Sequence, residues 1–202
     1  MEPRIIGKKY DKIAKWWQDQ HYNSKYGVKQ LRRALAFCSD TDKATALDVG
    51  CGAGGRFTRT LKRHGFAITG IDISAEMINL AKQNHPSETF YVADICRWKP
   101  EKKFDFIVAW NSIFHLPLSE QQTVLQKLCD LLNDNGVLIY TLGDSIDEHE
   151  DNWHDDTFYC SSIGINENLK ILSANVVTCK HLELDQFPQN HVYVLGVKYV
   201  VM

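Results

Sequence analysis

A glycine-rich segment that follows a short apolar run combines residue types and spacing suited to binding a nucleotide. Residues 47–55 read LDVGCGAGG, so glycine occupies four of the six positions from 50 to 55. Because glycine has no Cβ, the backbone of such a segment can approach a ligand closely. Phe57 and Leu61 then repeat at a helical spacing, and the first N–H groups of a helix are free to bind a ligand. The pattern predicts a strand, a ligand-binding loop and a helix in succession.

The glycine spacing by itself leaves the ligand open. Gly50, Gly52 and Gly55 fit the fingerprint of dinucleotide-binding folds, whereas Gly50, Gly52 and Gly54 fit a different arrangement. Asp72 lies about twenty residues beyond the segment, at the end of the next apolar run, where a carboxylate can accept hydrogen bonds from the ribose hydroxyls of either ligand. Its alternative role is to cap the helix that follows.

Asp48 distinguishes between the two kinds of ligand. It lies two residues before Gly50, at the carboxyl end of the predicted strand. A pyrophosphate bound at the helix N-terminus would face this carboxylate, and two like charges about 4 Å apart at an effective dielectric constant of about 20 repel each other by roughly 4 kcal/mol. A ligand that carries an ammonium group and no phosphate would be attracted instead. S-adenosylmethionine is such a ligand, so Asp48 favours it over a nicotinamide dinucleotide.

Alternating strand and helix patterns predict how these residues are positioned. Apolar runs that predict strands lie at 45–49, 66–71, 89–92, 104–109 and 137–142. Helical patterns lie at 55–64, from Ser74 to before Pro86, at 119–132 behind a capping box at 119–122, and at 166–173. Two β-rich runs follow at 176–184 and 191–200, joined by a short connection at 185–190. This order is typical of an α/β fold, a single Rossmann-like domain of three layers with a mostly parallel seven-stranded sheet whose last strand is antiparallel.

We expect one domain, because 202 residues suit a single domain. Before the first strand, patterns at 10–18 and 28–38 predict an N-terminal helical arm that ends at the polar residues 39–42. Four regions are expected within the domain. They are an N-terminal helical cap at 1–43, a cofactor-binding core at 44–142, a substrate-side insert at 143–165, and a C-terminal helix with a strand pair at 166–202.

Composition and charge narrow the classes of function. A formal net charge of −2 gives no global attraction to nucleic acid or to an anionic membrane. No apolar run approaches the roughly 20 residues that a bilayer requires, and the first residues are too short in apolar length for a signal peptide. The six cysteines are scattered without a C-x-x-C pair, which argues against a zinc site and for free thiols in a reducing compartment. We therefore expect a cytoplasmic protein without a metal site, either a monomer or a homodimer.

Five motifs occur in the order and at the spacing of the class I S-adenosylmethionine-dependent methyltransferases. They are LDVGCGAG at 47–54, GIDIS at 70–74, ADI at 93–95, FDFIV at 104–108 and LNDNGVL at 132–138. Over nearly its whole length the sequence resembles this family, and in particular its small-molecule members. The resemblance implies that the chain binds S-adenosylmethionine, transfers its methyl group and releases S-adenosylhomocysteine.

The resemblance also implies a set of cofactor-binding residues. They are Tyr10, Asp48, Gly50, Cys51, Gly52, Gly54, Asp72, Ile73, Met77, Asp94, Ile95, Trp110 and Asn111. As in the family, Asp48 would attract the ammonium group, Asp72 would bind the ribose, and Asp94 would accept a hydrogen bond from the adenine amino group. Ile73 and Met77 would flank the adenine ring.

Two of these residues have alternative structural roles. Tyr10 belongs to a Tyr-Asp-x-x-Ala pattern that is similar to the family's N-terminal motif and would close over the cofactor. An aromatic residue that packs a helix fits the same pattern equally. Cys51 lies in a tight turn, where the role of a small filling residue suits it better than that of a nucleophile.

The methyl acceptor leaves little trace in the sequence, because methyl transfer from a sulfonium mainly requires proximity, orientation and exclusion of water. Residues 109–115 read AWNSIFH and lack the Asn/Asp-Pro-Pro-aromatic motif of methyltransferases that act on base amino groups. Asn111 and Asp144 make a poor ligand set for metal-dependent enzymes of the catechol type. No basic patch interleaved with aromatic residues indicates RNA. A small molecule remains as the favoured acceptor, with a protein side chain as a further option.

His115 is the candidate general base for an acceptor that must lose a proton, and its alternative role is packing or capping near the turn before Pro117. Weaker candidates, expected to be structural or exposed, are His21, His154 and His191. The candidate substrate-pocket residues come from the arm and the insert and are Trp17, Tyr22, Asp144 and Trp153. The acidic residues of the insert form either a solvated loop or an anionic rim that attracts a cationic amine.

Three functions from different classes are compatible with the sequence. A small-molecule methyltransferase is favoured. An NAD(P)-dependent oxidoreductase is the alternative enzyme, and Asp48, Asp94 and the antiparallel strand pair count against it. The third is a non-catalytic module that binds S-adenosylmethionine without turnover, against which the intact motifs argue only weakly.

Overall fold

The computed structural model describes residues 1–38, 44–186 and 190–199. The strands are β1 (Thr45–Val49), β2 (Ala67–Asp72), β3 (Thr89–Val92), β4 (Phe104–Ala109), β5 (Leu132–Gly143), β6 (Ile146–Trp153), β7 (Asp156–Ile163), β8 (Val177–Asp185) and β9 (His191–Lys198). The α-helices are α1 (Pro3–His21), α2 (Val28–Leu35), α3 (Arg56–Arg63), α4 (Ala75–Asn84), α5 (Leu118–Asp130) and α6 (Gly164–Ala174), and a short 3-10 helix covers Ile113–His115. The predicted alternation of strands and helices is therefore present.

Seven strands form one sheet in the order β3-β2-β1-β4-β5-β9-β8. Strands β1 to β5 run parallel to one another, and β9 runs antiparallel to both β5 and β8. The predicted α/β fold with a mostly parallel seven-stranded sheet and an antiparallel last strand is thus confirmed. The strand order reverses between β1 and β4, and ligands of such folds bind beyond the carboxyl ends of the strands at this point.

The core consists of two large apolar clusters, because neighbouring residues of a strand point to opposite faces of the sheet. Leu47 and Ile107 belong to the cluster beneath α5 and α6, whereas the adjacent Ala46 and Phe106 belong to the cluster beneath α2 and α3. All four side chains are fully buried. Burial on both faces holds the sheet between two helical layers, which fixes the strand ends that carry the predicted site.

The starts of α1 and α5 differ from the prediction in ways that have a physical reason. α1 begins at Pro3 rather than at residue 10, because proline suits the first turn of a helix and Ile6 extends the buried face toward Ala14. The predicted capping box at Ser119 is wrong. α5 begins one residue earlier, its N-cap residue is Pro117, and no side chain caps it.

The insert contains a hairpin that its sequence did not predict. β6 and β7 pair antiparallel as a separate two-stranded sheet. Acidic residues occupy both faces of β6, and nearly all of this strand is exposed. The alternation of apolar and polar residues that identifies a strand is therefore missing. The expectation of a solvated loop is replaced by an exposed acidic strand.

Residues 133–136, predicted as a turn before strand five, lie inside β5 at an irregularity where its pairing with β4 shifts register. The predicted helix end at 39–42, the connection at 185–190 and the end of the last predicted strand lie wholly or partly outside the described residues. Among the helices of the described ranges, none combines the length and the apolar character that a membrane span requires.

Asp105 connects β4 to β1 and to the beginning of β5. Its carboxylate accepts hydrogen bonds from the Thr45 backbone N–H at 2.7 Å, the Thr45 hydroxyl at 3.0 Å and the Asn133 amide at 2.7 Å. Burial opposes ionisation, but these hydrogen bonds outweigh it and lower the pKa of Asp105 below its ordinary value.

We expect Asp105→Ala to lower the free energy of unfolding by about 1–2 kcal/mol, because it leaves the partly buried hydrogen-bond donors of Thr45 and Asn133 unpaired. Urea unfolding at neutral pH measures this difference. The exposed Asp134 in the neighbouring irregularity of β5 provides the control, since Asp134→Ala should change the unfolding free energy by less than about 0.5 kcal/mol. Equal effects of the two substitutions would contradict the role given to Asp105.

Candidate functional site

A cavity opens at the carboxyl ends of β1, β2 and β4, where a fold of this order binds ligands. We call it the first cavity; it encloses about 760 Å³, including the space at its mouth, and α1 forms one of its walls. Of the predicted site residues, it brings together Tyr10, Trp17, Gly50, Gly52, Asp72, Ile73, Met77, Asp94, Ile95, Asn111 and His115.

A second cavity of about 560 Å³ adjoins the first. Four residues line both cavities, namely Trp17, Gly50, Gly52 and Asn111. Four further predicted residues line the second cavity only, namely Tyr22, Asp48, Cys51 and Trp110. An extended ligand can therefore occupy both cavities by passing the residues that they share.

Three predicted site residues line neither cavity. Gly54 packs at the end of α4, where its carbonyl accepts a hydrogen bond from His85 Nε2 at 2.6 Å. Trp153 packs edge-on against the ring of Trp17 at a centroid distance of 5.7 Å, so it supports a wall of the cleft from behind. Asp144 lies at the base of the hairpin, and its backbone N–H bonds to the segment just before β9.

The glycine loop is fixed by its own conformation and by its neighbours. Gly50, Gly52 and Gly54 have φ angles of +70°, +54° and +68°, a region that residues with a side chain rarely adopt. A Cβ on Gly50 would overlap the Cβ of Ser112, so this loop directly contacts the segment after β4. The Gly50 N–H donates to the Ile71 carbonyl at 2.8 Å, which attaches the loop to β2.

Asp72 joins two loops. Its carboxylate accepts backbone N–H bonds from Gly52 and Ser74, each at 2.9 Å. Burial raises the pKa of Asp72, although these hydrogen bonds act in the opposite direction. Since a carboxylate can accept about four hydrogen bonds, some positions stay available to hydroxyl groups of a ligand. The side chain that caps α4 is Ser74, whose hydroxyl accepts the Met77 N–H at 3.1 Å.

Polar contacts attach α1 to the cleft at two places. Asp11 accepts a hydrogen bond from the Ser74 hydroxyl at 2.6 Å, which places a carboxylate near the N-terminus of α4, where it is electrostatically favourable. Lys9 and Lys12 pair with Asp156 of the hairpin at 3.1 and 2.8 Å. α1 is thereby held against both the sheet side and the hairpin side of the first cavity.

Asp48 is a buried carboxylate in the second cavity, and its Oδ2 accepts a hydrogen bond from the Thr58 hydroxyl at 2.9 Å. Burial, with a smaller contribution from Asp72, raises the pKa of Asp48 to about 7, against the effects of Thr58 and of the Arg56 charge. Arg56 lines the same cavity, and its Nε donates to the Tyr26 carbonyl at 2.6 Å. A cation that enters this cavity would favour the ionised form of Asp48.

His115 and Tyr10 are far apart in sequence and meet in the first cavity. The Tyr10 hydroxyl lies 3.0 Å from His115 Nε2, and His115 Nδ1 lies 2.8 Å from the Tyr159 carbonyl. Because a carbonyl only accepts, Nδ1 carries the proton and Nε2 accepts from Tyr10. Burial lowers the pKa of His115 to about 4, so at neutral pH the ring is uncharged with its lone pair at Nε2.

Several lining residues were not predicted from the sequence. The first cavity includes Pro3, Ile6, Ile113 and Leu116. Pro3 and Ile6 were missed because the first helix was predicted to begin only at residue 10. Arg56 directly follows the glycine run, and a cation at that position was a signal that could have been used. His191 was expected to be structural or exposed, yet its Nε2 contacts the side-chain oxygen of Asn111 at 2.9 Å.

A family model described as a methyltransferase domain matches residues 20–166. The chain is 37% identical over 127 residues to the trans-aconitate 2-methyltransferase of Enterobacter sp. (strain 638), an alignment that covers 61% of this chain and 50% of that protein. It is 27% identical over 149 residues to the phosphoethanolamine N-methyltransferase of Plasmodium falciparum, covering 72% of this chain and 55% of that protein. The chain thus spans about half the length of the curated relatives it matches.

The fold is also similar to that of a solved structure, magnesium protoporphyrin IX methyltransferase from Synechocystis PCC 6803 with bound SAM. The TM-score is 0.75, the sequence identity is 16%, and the superposition covers 98% of each chain. At 16% sequence identity, this similarity shows that the two proteins share a fold.

The elevated pKa of Asp48 makes the stability of the protein depend on pH in a defined direction. The unfolded chain loses this proton near pH 4, whereas the folded chain keeps it up to about pH 7. Between these values the folded state binds more protons, so the contribution of Asp48 to the free energy of unfolding decreases as the pH rises and is constant above the folded pKa.

Asp48→Asn cannot ionise and should not show this decrease. The difference in unfolding free energy between the variant and the wild type should therefore grow in favour of the variant as the pH rises. Between pH 4 and pH 8 we expect this difference to change by on the order of 2–4 kcal/mol, at about 1.4 kcal/mol for each pKa unit. Urea unfolding at a series of pH values measures the difference. Two parallel pH curves would show that Asp48 is ionised in the folded protein throughout this range.

Proposed function

The chain belongs to the class I S-adenosylmethionine-dependent methyltransferases, and from this premise we propose that it moves a methyl group from S-adenosylmethionine to a small-molecule acceptor by in-line displacement. The match of the methyltransferase domain over residues 20–166 supports the activity. The observation that carries the proposal is that the predicted donor-site residues, with the exception of Gly54, line two adjoining cavities. A nicotinamide dinucleotide is disfavoured, because its pyrophosphate would lie against Asp48.

The nucleoside end of the donor would lie in the first cavity. Asp72 has acceptor positions left for the ribose hydroxyls, and Ile73 and Met77 would enclose the adenine ring. Asp94 uses its Oδ1 to accept the Cys96 N–H at 2.9 Å, which leaves the other oxygen for the adenine amino group. The site thus selects a nucleoside by hydrogen bonding at both the sugar and the base.

The amino-acid end of the donor would extend into the second cavity. Gly50 and Gly52 line both cavities, and without side chains they leave room for the ligand to pass. The ammonium group would lie near Asp48, directly or through water, and would favour its ionised form. The sulfonium would then lie close to Asn111, between the two cavities.

The acceptor would lie beneath α1, at the part of the first cavity that the donor leaves free. Pro3, Ile6 and Leu116 give this region an apolar wall, and the Tyr10–His115 pair is its polar feature. As the acceptor nucleophile attacks the methyl group, its proton would pass to the Tyr10 oxygen while the Tyr10 proton passes to His115 Nε2. Burial keeps His115 neutral with the Nε2 lone pair available to accept this proton, although a pKa of about 4 also makes it a weak base.

The charge of the first cavity limits the acceptor further. Its described lining residues include the carboxylates Asp72 and Asp94 and neither lysine nor arginine. A polycarboxylate such as trans-aconitate would find no cationic partner there, and an unpaired buried charge is costly. We therefore propose an acceptor with an apolar body and one nucleophile that carries a proton, such as an amine, a phenol or a thiol.

We expect Asp72→Ala to weaken the binding of S-adenosylhomocysteine by about 1.5–3 kcal/mol, the scale of a hydrogen bond to a charged group. Calorimetry measures the affinity, and Asp134→Ala serves as the control carboxylate. Unchanged affinity in a folded Asp72 variant would refute the ribose role. Binding of NADH, in the absence of S-adenosylhomocysteine binding, would favour the oxidoreductase instead.

Turnover separates an enzyme from a binding module. Release of S-adenosylhomocysteine across a panel of amines, phenols, thiols and polycarboxylates should identify acceptors among the first three classes.

With such an acceptor, Tyr10→Phe and His115→Gln should each lower kcat by roughly 10²-fold, the scale of general base catalysis, with little change in donor affinity. A wild-type chain that binds the donor and methylates nothing in the panel would instead support the non-catalytic module.

A further inference from the structure

Asn111, which lies between the two cavities, has a backbone conformation that requires support. Its φ angle is +50°, in the left-handed region, which is unfavourable for a residue with a side chain and which asparagine tolerates better than most. Its backbone N–H donates to the Thr141 hydroxyl of β5 at 2.8 Å. The residue is therefore held in place by the sheet beneath it and not by its own preference.

Two hydrogen-bond donors converge on one atom of the Asn111 side chain. Its Oδ1 lies 2.9 Å from His191 Nε2 and 3.5 Å from the Thr141 hydroxyl. The Thr141 oxygen already accepts the Asn111 backbone N–H, so its own hydrogen can point to Oδ1. With Oδ1 occupied, the orientation of the amide is decided, and its NH₂ group is directed away from His191.

His191 has a proton on Nε2, because the Asn111 oxygen that this nitrogen contacts can only accept a hydrogen bond. Its Nδ1 has no hydrogen-bond partner among the described residues and lies 3.6 Å from Asp185 Oδ2, beyond hydrogen-bond distance. Burial lowers the pKa of His191, with Asp185 acting in the opposite direction. Asp185 is itself bound by the Tyr26 hydroxyl at 2.8 Å. A neutral ring with its proton on Nε2 can only donate to Asn111 and cannot accept from it.

We propose that His191 is a positioning residue that turns the Asn111 amide so that its N–H groups bind a carboxylate in the cleft. The inference rests on the proposed function and deepens it, since the donor carries such a carboxylate at its amino-acid end. Arg56 lines the same second cavity as Asn111, so a cation and an amide donor are both available to that carboxylate. Asp48 would bind the ammonium group of the same zwitterion, and the two charges would be recognised by separate residues.

Two ligands separate this role from a merely structural one. S-adenosylhomocysteine has the amino-acid end, whereas methylthioadenosine contains the same nucleoside and lacks it. His191→Leu removes the N–H that holds the Asn111 amide and should weaken the binding of S-adenosylhomocysteine by about 10- to 150-fold, the equivalent of one hydrogen bond to a charged group. Its affinity for methylthioadenosine should stay within about 2-fold of the wild-type value, since no contact to that ligand is lost. Calorimetry with both ligands measures the two affinities.

Three variants complete the experiment. His191→Gln retains an N–H donor and should recover much of the affinity for S-adenosylhomocysteine. In an Asn111→Ala background, His191→Leu should have no further effect, because His191 acts through Asn111. His181→Leu, on β8 and in contact with Arg33 and Glu183, lies outside both cavity linings and should bind both ligands as the wild type does.

The outcomes distinguish the inference from the function on which it rests. An equal loss of affinity for the two ligands in folded His191→Leu, or no loss for either, overturns the positioning role and leaves the proposed donor intact. Independent effects of the substitutions at 111 and 191 overturn it as well. Failure of the wild-type chain to bind S-adenosylhomocysteine would contradict the proposed function itself.

Discussion

The hydrogen bonds that the Asp72 carboxylate accepts from two separate loops are the interaction on which the cleft depends. One bond comes from Gly52 in the glycine loop after β1, and the other comes from Ser74 at the turn before α4. Each hydrogen bond to a carboxylate contributes about 1.5–3 kcal/mol, enough to hold both loops in one arrangement. Ser74 in turn caps α4 and donates to Asp11 of α1. One carboxylate at a strand end thus organises the loop, the helix and the wall opposite the sheet.

The donor side and the acceptor side of the cleft differ in the charge that they can receive. The donor side contains Asp48, Asp72 and Asp94 together with Arg56, and it suits a nucleoside ligand with a zwitterionic amino-acid end and no phosphate. The acceptor side is apolar, with a neutral histidine that can take up one proton. This division fits a reaction in which a positively charged donor loses its charge on transferring a methyl group. It also explains why the acceptor is poorly specified by sequence, since apolar walls can be made from many residue types.

Much of the donor side could be predicted from the sequence, because parallel strands place their carboxyl ends at one edge of the sheet. Gly50, Asp72 and Asp94 follow three different strands, and their meeting requires only the strand order. The hairpin of β6 and β7 was not predicted, since an acidic strand exposed on both faces has no apolar alternation. Gly54 was assigned to the ligand by its place in the motif, yet its position is explained by packing against His85.

The contacts that complete the site depend on pairings between distant parts of the chain. His191 reaches Asn111 because β9 inserts between β5 and β8, and no local pattern encodes that pairing. Tyr10 reaches His115 only after α1 packs across the cleft. Both histidines were visible in the sequence, but their roles depend on which neighbour each ring nitrogen meets. Such information is absent from residue type and spacing.

The attachment of α1 has a thermodynamic consequence. This helix is joined to the rest of the protein by the packing of Ile6 and Ala14 and by the polar contacts of Tyr10, Asp11 and the lysines that pair with Asp156. A ligand that contacts both α1 and the sheet stabilises the attached state of the helix. Attachment of the helix strengthens the binding of that ligand by the same coupling free energy. Protection of the α1 amides from hydrogen exchange and tight binding of the nucleoside are therefore two expressions of one equilibrium.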